Sequence, residues 1–484
     1  MSENTLPVVI IGAGPVGLAA ALHVRARGFT PLVLEAGAAV GAGIRRWSHV
    51  RMFSPWEYNI DKLAGTLLTA HGWTPPDPAH FPTGREVVER YLEPLAAMPE
   101  LAPQIRVGAR VTAVTKRRHD RMKNSQRATA PFAVRYLDQT GEHEVAAQAV
   151  IDASGTIESP NPIGASGIAA LGERAAHAHI AYGMPDVYSA QRARYAGKRT
   201  LVVGSGHSAF NVLTDLARLR REVPGTEIHW AVRRPSLRRV LGGGENDQLK
   251  ERGRLGMRIS QLVDEGAITV HTNMYLDRIE HTANGYVAWS GDDALPAVDE
   301  MIGATGFRPD LGMLDEVRLD LDAGTQSPSA LAPLIDPNLH SCGTVRPHGA
   351  MELKHPDANL YMVGMKSYGR APTFLLLTGY EQVRSVAAAI AGDWEAARRV
   401  ELVLPETGVC NTQFTDEETT APASNCCGGP APADVDACCV ADADAKAVGE
   451  AGCGCGPTAE VVVEAPVVVA AATKTSCCGP ARAT

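Results

Sequence analysis

Two glycine-rich motifs have the residue types and the spacing that could hold a pyrophosphate. They read GAGPVG at 12–17 and GSGHSA at 204–209, and each follows a short apolar run and opens a helical segment. In such a motif the first glycine permits a tight turn, the second lets backbone approach the phosphates, and the third lets helix and strand pack closely. The helix N-terminus then offers unpaired N–H groups to the anion. The residues expected to contact dinucleotides here are Gly12, Gly14, Gly17, Gly204, Gly206, His207 and Ser208.

The residues that end the next strand differ in charge between the two motifs. Glu35 can accept hydrogen bonds from a ribose 2′-hydroxyl, which suits FAD or NAD and repels a 2′-phosphate. Arg233 and Arg234 stand at the corresponding place in the second unit, where guanidinium groups favour a 2′-phosphate. We therefore predict FAD at the first motif and NADPH at the second. Two alternatives stay open: the arginines are ordinary surface charges, and His207 only begins its helix.

Alternating strand and helix patterns place both motifs in α/β units. Short apolar runs predict buried parallel strands, and Ala- and Leu-rich stretches predict helices. The predicted fold class is α/β with two Rossmann-like dinucleotide-binding domains, the FAD domain being split by an inserted NADP domain, and with a disordered Cys-rich tail. The strands are predicted at 7–12, 31–35, 147–155, 199–204, 226–232, 298–306 and 359–364, and the helices at 15–28, at 85–98, from the second motif to about 221, and at 372–391.

Motif positions and composition together set the expected domain boundaries. A chain of 484 residues is long enough for two or three domains. A basic stretch from Lys116 to Arg127 is predicted to be a solvated hairpin insertion, with a docking patch as the alternative. The predicted boundaries are 1–180 and 301–398 for the two parts of the FAD domain, 181–300 for the NADP domain and 399–484 for the tail.

Acidic charge is concentrated at the C-terminus of the chain. The net charge is −8, and residues 401–484 alone carry 12 acidic and 3 basic side chains. The remaining body is therefore nearly neutral, which gives no electrostatic case for nucleic-acid binding. No uncharged apolar run reaches roughly 18 residues, so no membrane span is predicted. The N-terminus lacks the pattern of a secretion signal, and a cytoplasmic protein is expected.

The tail holds nine of the ten cysteines, eight of them in close pairs. As thiolates, such pairs form a soft site for a thiophilic ion such as As(III), Zn(II) or Cu(I), and capture of a metal or metalloid is predicted. The alternatives are an extension without function and a dithiol shuttle that the flavin reduces. The paired cysteines are Cys426, Cys427, Cys438, Cys439, Cys453, Cys455, Cys477 and Cys478.

Three further segments resemble those of two-dinucleotide-binding-domain flavoproteins, and the resemblance covers about residues 5–395. DASG at 152–155 and GATGFRP at 303–309 look like the two crossings between FAD and NADP domains. NLYMVG at 359–364 looks like the strand before the C-terminal helix that contacts the flavin. The resemblance implies hydride transfer from NADPH to FAD. With it we expect cofactor contacts from Val111, Gly155, Gly306, Gly364 and Thr373.

Within that group, the chain resembles class B flavin monooxygenases. GAGIRRW at 41–47 is similar to their GGxW segment with two residues inserted, and Arg46 and Trp47 are expected at the cofactor. The blocks FSPWEYNID at 53–61 and FPTGRE at 81–86 look like monooxygenase-like flavoproteins associated with arsenic-resistance operons. The resemblance implies a small-molecule substrate and O₂, and it is compatible with a homodimer.

Four residues are candidates for contact with the flavin itself. Ser54, Asn59 and Lys366 are candidates beside the isoalloxazine, and Thr373 would cap the helix that follows it. Each of the first three has an alternative role. Ser54 and Asn59 could hydrogen-bond only within their loop, and Lys366 could be a surface charge. His348 is expected to be structural.

Cysteine placement separates two classes of reaction. Disulfide reductases of the same fold use a cysteine pair beside the flavin or in the NADP domain, and Cys342 is the only cysteine of this body. This placement disfavours a thioredoxin-reductase or a mercuric-reductase role. The resemblance to class B flavin monooxygenases implies a monooxygenase-like reaction of reduced flavin with O₂. The alternative is a non-oxygenating NADPH reductase that passes electrons to a disulfide or a metal.

Overall fold

The structure is a computed structural model that describes residues 6–237, 240–241, 250–338, 345–371 and 374–402. Several residues singled out above lie outside that part of the chain. They are Cys342, Thr373 and the eight paired cysteines of the tail, so their roles stay predictions. Among the described residues, no helix is long and apolar enough to cross a membrane.

Short strands and helices alternate in the described part of the chain. The strands are β1 (Val8–Ile11), β2 (Pro31–Leu34), β3 (Ile105–Arg106), β4 (Arg110–Lys116), β5 (Phe132–Asp138), β6 (Gly141–Ala147), β7 (Ala149–Asp152), β8 (Ile180–Tyr182), β9 (Arg199–Val203), β10 (Glu227–Ala231), β11 (Thr269–His271), β12 (Arg278–Thr282), β13 (Gly285–Ser290), β14 (Asp293–Ala294), β15 (Glu300–Gly303) and β16 (Leu360–Met362). The α-helices are α1 (Pro15–Ala26), α2 (Ala42–Arg45), α3 (Lys62–Ala70), α4 (Gly84–Val87), α5 (Glu93–Ala96), α6 (Arg192–Tyr195), α7 (His207–Glu222), α8 (Lys250–Asp264), α9 (Ala332–Ile335), α10 (Ala350–Leu353), α11 (Leu376–Ile390) and α12 (Trp394–Arg398).

The first parallel sheet has the strand order β16-β7-β1-β2-β3. All four residues of β1 are buried, because alternate residues face two different apolar layers. Val8 and Ile10 pack in a cluster with α1 and α11, while Val9 and Ile11 pack on the antiparallel sheet β4-β5-β6. The register pairs Asp152 at the end of β7 with the last residues of β1 and β16, so the three strands end at one edge.

The second parallel sheet repeats this arrangement with the order β11-β10-β9-β15-β8. Val202 of β9 packs in a cluster with α7 and α8 on one face. Leu201 and Val203 pack on the other face, against the antiparallel strands β12 and β13. Each parallel sheet is therefore sandwiched between helices and a small antiparallel sheet.

The chain leaves the first sheet after β7, builds the second sheet, and returns to the first with β16. This order confirms the predicted α/β fold class with two Rossmann-like units, one of them split by the other. The domain boundaries given above stay predictions.

Two predicted elements differ from the observed ones. The helix predicted at 85–98 consists of α4, a single π-helical turn over Val88–Leu92, and α5. The strand predicted at 298–306 is confined to β15, and the residues after it pair instead with the segment around Asn161, whose N–H donates to the carbonyl oxygen of Gly306. The remaining predicted strands and helices that the structure describes are found within a few residues of their expected bounds.

The prediction that the basic stretch is solvated is wrong at both of its ends. Lys116 and Arg127 are each only 3% exposed. Arg127 donates from Nε and Nη2 to the two carboxylate oxygens of Asp357, at 2.8 and 2.6 Å. Lys116 Nζ lies 3.7 Å from the Phe132 ring centre and donates to a backbone oxygen. A buried charge is tolerated when it is paired and hydrogen-bonded, as Arg127 is, and Lys116 has a backbone oxygen and an aromatic ring as its partners.

Candidate functional site

The first glycine turn is closed by backbone contacts that exclude any side chain. Gly12 has φ +97°, and a Cβ there would lie 2.9 Å from the carbonyl oxygen of Ala153. A Cβ at Gly17 would lie 2.0 Å from the carbonyl oxygen of Gly12. Both glycines therefore perform the tasks the motif predicts, which are to turn the chain and to seat α1 against β1.

The N-terminus of α1 faces open space. Its N-cap is Gly14, which supplies no side-chain cap, so the first N–H groups of the helix are left to another acceptor. A Cβ at Gly14 or at Gly155 would meet nothing within 4 Å. Positive potential at the helix end, beside backbone that leaves open space at Gly14 and Gly155, fits a pyrophosphate.

Glu35 follows β2 as a fixed hydrogen-bond acceptor. Its side chain is 8% exposed. Its carboxylate accepts from the backbone N–H groups of Ala13 and Gly37, both at 2.7 Å. Each oxygen keeps a further lone pair, and Ala13 ties the carboxylate to the phosphate-binding turn. This geometry suits a ribose hydroxyl pair.

The second glycine turn is built like the first. Gly204 has φ +129°, and a Cβ there would lie 2.2 Å from the carbonyl oxygen of Ala304. Gly206 caps α7 without a side chain and has open space where its Cβ would point. His207 and Ser208 are the first two residues of α7, as the motif predicts.

The arginines of the second unit follow β10 at the edge where the Gly204 turn lies. Arg233 is exposed and donates to the carbonyl oxygen of Ala165 at 3.3 Å, and Arg234 is half-buried. Trp230 within β10 donates from its indole to the Gly204 carbonyl oxygen at 2.7 Å, which joins this strand to the turn. Two guanidinium groups thus stand where the first unit has a carboxylate.

An aromatic contact joins the two units. The ring of Phe53, from the loop after α2, lies 5.4 Å from the ring of His207 between centroids. His207 also meets the edge of Phe210 one turn further along α7, at 6.1 Å. The start of the second nucleotide helix is therefore in contact with the first unit. The sequence indicates both residues but not their contact.

Ser54 and Asn59 bond to each other and to their own loop. Asn59 is fully buried, accepts from Ser54 Oγ at 3.0 Å, and donates to the carbonyl oxygens of Ser54 and Pro55. Tyr380 of α11 donates to the carbonyl oxygen of Asn59 at 2.8 Å. Both amide hydrogens of Asn59 are thus used locally, which favours the loop-bonding alternative for this residue.

Lys366 is fully buried, so the surface-charge alternative is wrong. It lies just after β16, in a 3₁₀ turn over Gly364–Tyr368. Its Nζ is 2.6 Å from Asp152 Oδ2 and donates to Ser154 Oγ at 3.1 Å. The side chain thereby reaches the first crossing segment, beside the Gly12 turn.

A buried polar network holds the Gly364 turn from α11. Gln382 accepts from Gly364 N–H at 2.7 Å and donates to Ser367 Oγ and to His348 Nε2, both at 2.9 Å. Burial lowers the pKa of His348, which keeps its ring neutral and its Nε2 able to accept. His348 is structural, as expected, and Gln382 was not singled out. In the sequence, Gln382 could have been found only as an uncharged amide within a largely apolar predicted helix.

The other predicted contacts are dispersed. Arg46 is exposed and pairs with Glu158 at 2.9 Å. Trp47 packs against Gly84, where a Cβ would lie 2.8 Å from the indole. Val111 points its side chain into the apolar cluster beneath the first sheet, so its predicted cofactor contact is not available to the side chain. Gly306 lies in the second crossing and accepts from the N–H of Asn161.

No group of three or more potential ligands that could hold a metal ion is found within the described ranges. The predicted cysteine ligands lie outside those ranges, in the tail.

Comparisons with known proteins agree with this architecture. A curated rice protein, indole-3-pyruvate monooxygenase YUCCA1 of Oryza sativa subsp. japonica, is 31% identical over 219 residues, which are 45% of this chain. The match spans just under half of that relative, 46% of its length.

Two solved structures show the same fold. The bacillithiol disulfide reductase Bdr from Bacillus cereus has a TM-score of 0.59 at 19% identity, covering 80% of this chain and 99% of that one. The cadaverine monooxygenase DfoA from Erwinia amylovora, bound to FAD, has a TM-score of 0.56 at 13% identity, covering 83% and 99%. A family description, pyridine nucleotide-disulphide oxidoreductase, matches residues 9–332. The chain belongs to the pyridine nucleotide-disulphide oxidoreductase family.

Proposed function

We propose that the chain is an FAD-dependent oxidoreductase that uses NADPH and reacts in the manner of a flavin monooxygenase. The observation that carries the cofactor assignment is the contrast between two turns of the same form. Glu35 follows the first, and Arg233 with Arg234 follows the second. Equal backbone geometry predicts two dinucleotides, and opposite charge at the ribose end predicts different ones.

FAD is assigned to the first turn on its chemistry. The uncapped N-terminus of α1 and the open space at Gly14 and Gly155 would take the pyrophosphate, and Glu35 would take the ribose. FAD when bound would accept a hydride and pass the electrons on. The chain's own residues orient it and exclude water, and the buried network of Gln382 fixes the turn after β16.

NADPH is assigned to the second turn because two arginines replace the acid. A 2′-phosphate there would gain charge-assisted hydrogen bonds, which an NADH ribose does not offer. His207 lies at the start of α7 against Phe53 of the first unit, so the contact brings the two sites toward one another. Such an approach is what direct hydride transfer between two cofactors needs.

Two observations support a proposal for what accepts the electrons of the reduced flavin: the placement of the cysteines, and the name of one relative. YUCCA1, 31% identical over 219 residues, is named a monooxygenase. The only cysteine of the body is Cys342, so the body holds no cysteine pair of the reductase kind. Both facts support reaction of reduced flavin with O₂ and a small-molecule substrate.

A second candidate function is favoured by the tail. Eight paired cysteines follow the body, and they would suit a reductase that passes electrons to a disulfide, or a module that binds As(III) or a similar ion. A role in arsenic resistance and a cytoplasmic location remain part of the proposal, as does a homodimer.

The test compares O₂ uptake with NADPH loss in the full chain loaded with FAD. Monooxygenation predicts substrate-stimulated NADPH oxidation matched one to one by O₂ uptake, and no turnover without O₂. Anaerobic turnover of a disulfide that disappears when the eight tail cysteines are replaced by serine would support the reductase instead.

A further inference from the structure

A buried ion pair lies at the edge where the three central strands of the first sheet end. Asp152 closes β7, and it pairs in register with the last residues of β1 and β16. Lys366 comes from the turn just after β16, and both side chains have no exposed surface. The carboxyl ends of parallel strands are where cofactors bind in such sheets, so this pair lies next to the proposed FAD site rather than in the general core.

The pair is part of a three-residue cluster. Lys366 Nζ lies 2.6 Å from Asp152 Oδ2 and donates to Ser154 Oγ at 3.1 Å. The hydroxyl of Ser154 in turn donates to Asp152 Oδ1 at 2.7 Å, and its backbone N–H donates to the same oxygen. Among the described residues, Ser154 Oγ accepts a hydrogen bond from the ammonium group, while Asp152 Oδ2 lies in ion-pair contact with it and accepts no hydrogen bond.

Ser154 connects the cluster to the phosphate-binding turn. A Cβ at Gly12 would lie 3.1 Å from Ser154 Cα, so the two backbones are in contact. Ser154 itself is exposed, on the segment that continues to the open cradle at Gly155. The two charges therefore lie one hydroxyl behind the surface that the cofactor would cover.

Burying an ion pair lowers the stability of the fold, so such a pair is expected where its charges serve a function. Taking two ions out of water costs several kcal/mol each, and apolar residues of similar size often stabilise a fold as well or better. A charge held in this low-dielectric position acts strongly on any charge that forms nearby. In the proposed reaction the cofactor of this site itself gains charge, since FAD + NADPH gives FADH⁻ + NADP⁺ and the isoalloxazine gains one negative charge.

We propose that Lys366 and Asp152 together set the reduction potential of the bound flavin, with Lys366 stabilising the anionic reduced form and Asp152 moderating that effect. The inference rests on the proposed function, because it needs FAD in the first site. It goes further by assigning opposite electrostatic roles to two residues that a purely structural role would make equivalent.

The experiment measures the midpoint potential of FAD in the full chain by anaerobic equilibration with a reference dye. Lys366→Met leaves Asp152 uncompensated and shifts the potential to a more negative value, while Lys366→Arg stays close to native. Asp152→Asn leaves Lys366 uncompensated and shifts the potential to a more positive value. Opposite signs for the two neutralising variants are the result expected.

A matched control separates electrostatics from fold stability. Arg127 and Asp357 form a pair of similar burial, but Asp357 precedes β16 and lies at its opposite end. Arg127→Met should lower the free energy of unfolding and leave the potential unchanged. A potential that moves equally in this control and in the Lys366 variant would overturn the inference.

The other outcomes are also decisive. Equal shifts, or none, in Lys366→Met and Asp152→Asn with flavin bound would overturn the charge roles. If Lys366→Met fails to fold, the sign of the Asp152→Asn shift decides alone, and any shift that is not positive contradicts the proposal. Absence of flavin from the native chain after incubation with FAD would instead overturn the proposed function.

Discussion

The two dinucleotide units of this chain share a backbone and differ in the side chains placed on it. Gly12 and Gly204 both have positive φ, and each is packed against the carbonyl oxygen of a crossing segment. The first unit ends in the bonded carboxylate of Glu35, and the second ends in Arg233 and Arg234. From this comparison we propose that the turn allows a dinucleotide to bind in each unit, and that the charge at the strand end selects which dinucleotide.

The units also differ in how their antiparallel layer is attached. In the first, the buried pair of Arg127 and Asp357 ties the β4-β5 loop to the start of β16. In the second unit, Arg199 at the start of β9 donates to the carbonyl oxygen of Asn284 in the β12-β13 turn and pairs with Asp299, and about a third of each side chain of that pair is exposed, at 32%. The first unit therefore depends on a desolvated charge pair where the second uses a hydrated one.

The largest effect is expected from breaking that buried pair. Arg127→Met leaves Asp357 buried without its partner and should lower the free energy of unfolding by about 3–5 kcal/mol. Arg199→Met, the matched change in the second unit, should cost less than about 1 kcal/mol because water screens the pair. Urea unfolding of both variants measures the difference. Equal losses would contradict the distinction between the two layers.

Exchanging the third residue of the glycine motifs tests the close packing of the first turn. Gly17→Ala places a methyl group 2.0 Å from a carbonyl oxygen, so α1 must shift. We expect about 100-fold weaker FAD binding from the strain. Ala209→Gly in the second motif removes a methyl group that already fits and should leave FAD binding unchanged. Fluorescence titration with FAD measures both, and undiminished affinity in Gly17→Ala would refute the packing argument.

Removing the arginines tests the charge contrast directly. Arg233→Ala with Arg234→Ala should raise KM for NADPH about 10- to 100-fold, because charge-assisted bonds to a 2′-phosphate are lost. KM for NADH should change by less than about twofold, since its ribose has no such group. Arg221→Ala, at the far end of α7, is the control. A similar rise for both coenzymes would remove the arginines from the site.

The smallest effect is a pH dependence that arises from one histidine of the first unit. Burial is the main cause that lowers the pKa of His355 to about 4, from an ordinary value of 6.5. The unfolded chain binds a proton at this histidine before the folded chain does, so its stabilising contribution is complete above pH 6.5 and declines as the pH falls toward 4. His355→Asn keeps an acceptor for the Asp320 N–H and removes the titration.

Urea unfolding at pH 7.5 and pH 5 checks this prediction. The native chain should lose about 1–2 kcal/mol more than His355→Asn between the two pH values. Identical losses would show that His355 does not couple folding to protons.

The nucleotide turns were predictable from the sequence because their demands are local. A glycine with positive φ, a strand before it and a helix after it are encoded within a few neighbouring residues. The contacts that could not be predicted join distant positions. Lys366 and Ser154 are 212 residues apart, and Arg127 and Asp357 are 230 apart. The residue types of Lys366, Arg127 and Asp357 indicated only that they are charged. Whether such a charge is buried depends on which strands become neighbours in the fold.

The loop around Asn59 also shows that residue type does not predict environment, here for a residue expected to contact the cofactor. The resemblance of the block 53–61 to flavoproteins suggested flavin contact for Asn59, but its amide hydrogens are donated to the carbonyl oxygens of Ser54 and Pro55 within the loop. Lys366, which the sequence equally allowed to be a surface charge, is fully buried. Residue type alone therefore could not rank these two candidates for flavin contact. The ranking depends on burial and local hydrogen bonds, and these are determined by α11 and β7.

The central claim is that the first unit holds FAD and the second delivers hydride from NADPH, and one measurement tests it most directly. The full chain is loaded with FAD and mixed anaerobically with NADPH or with NADH, while the flavin absorbance is followed in a stopped-flow instrument. We expect saturable bleaching by NADPH at concentrations about 10- to 100-fold lower than NADH requires. Equal bleaching by the two coenzymes, or none by NADPH, would contradict it.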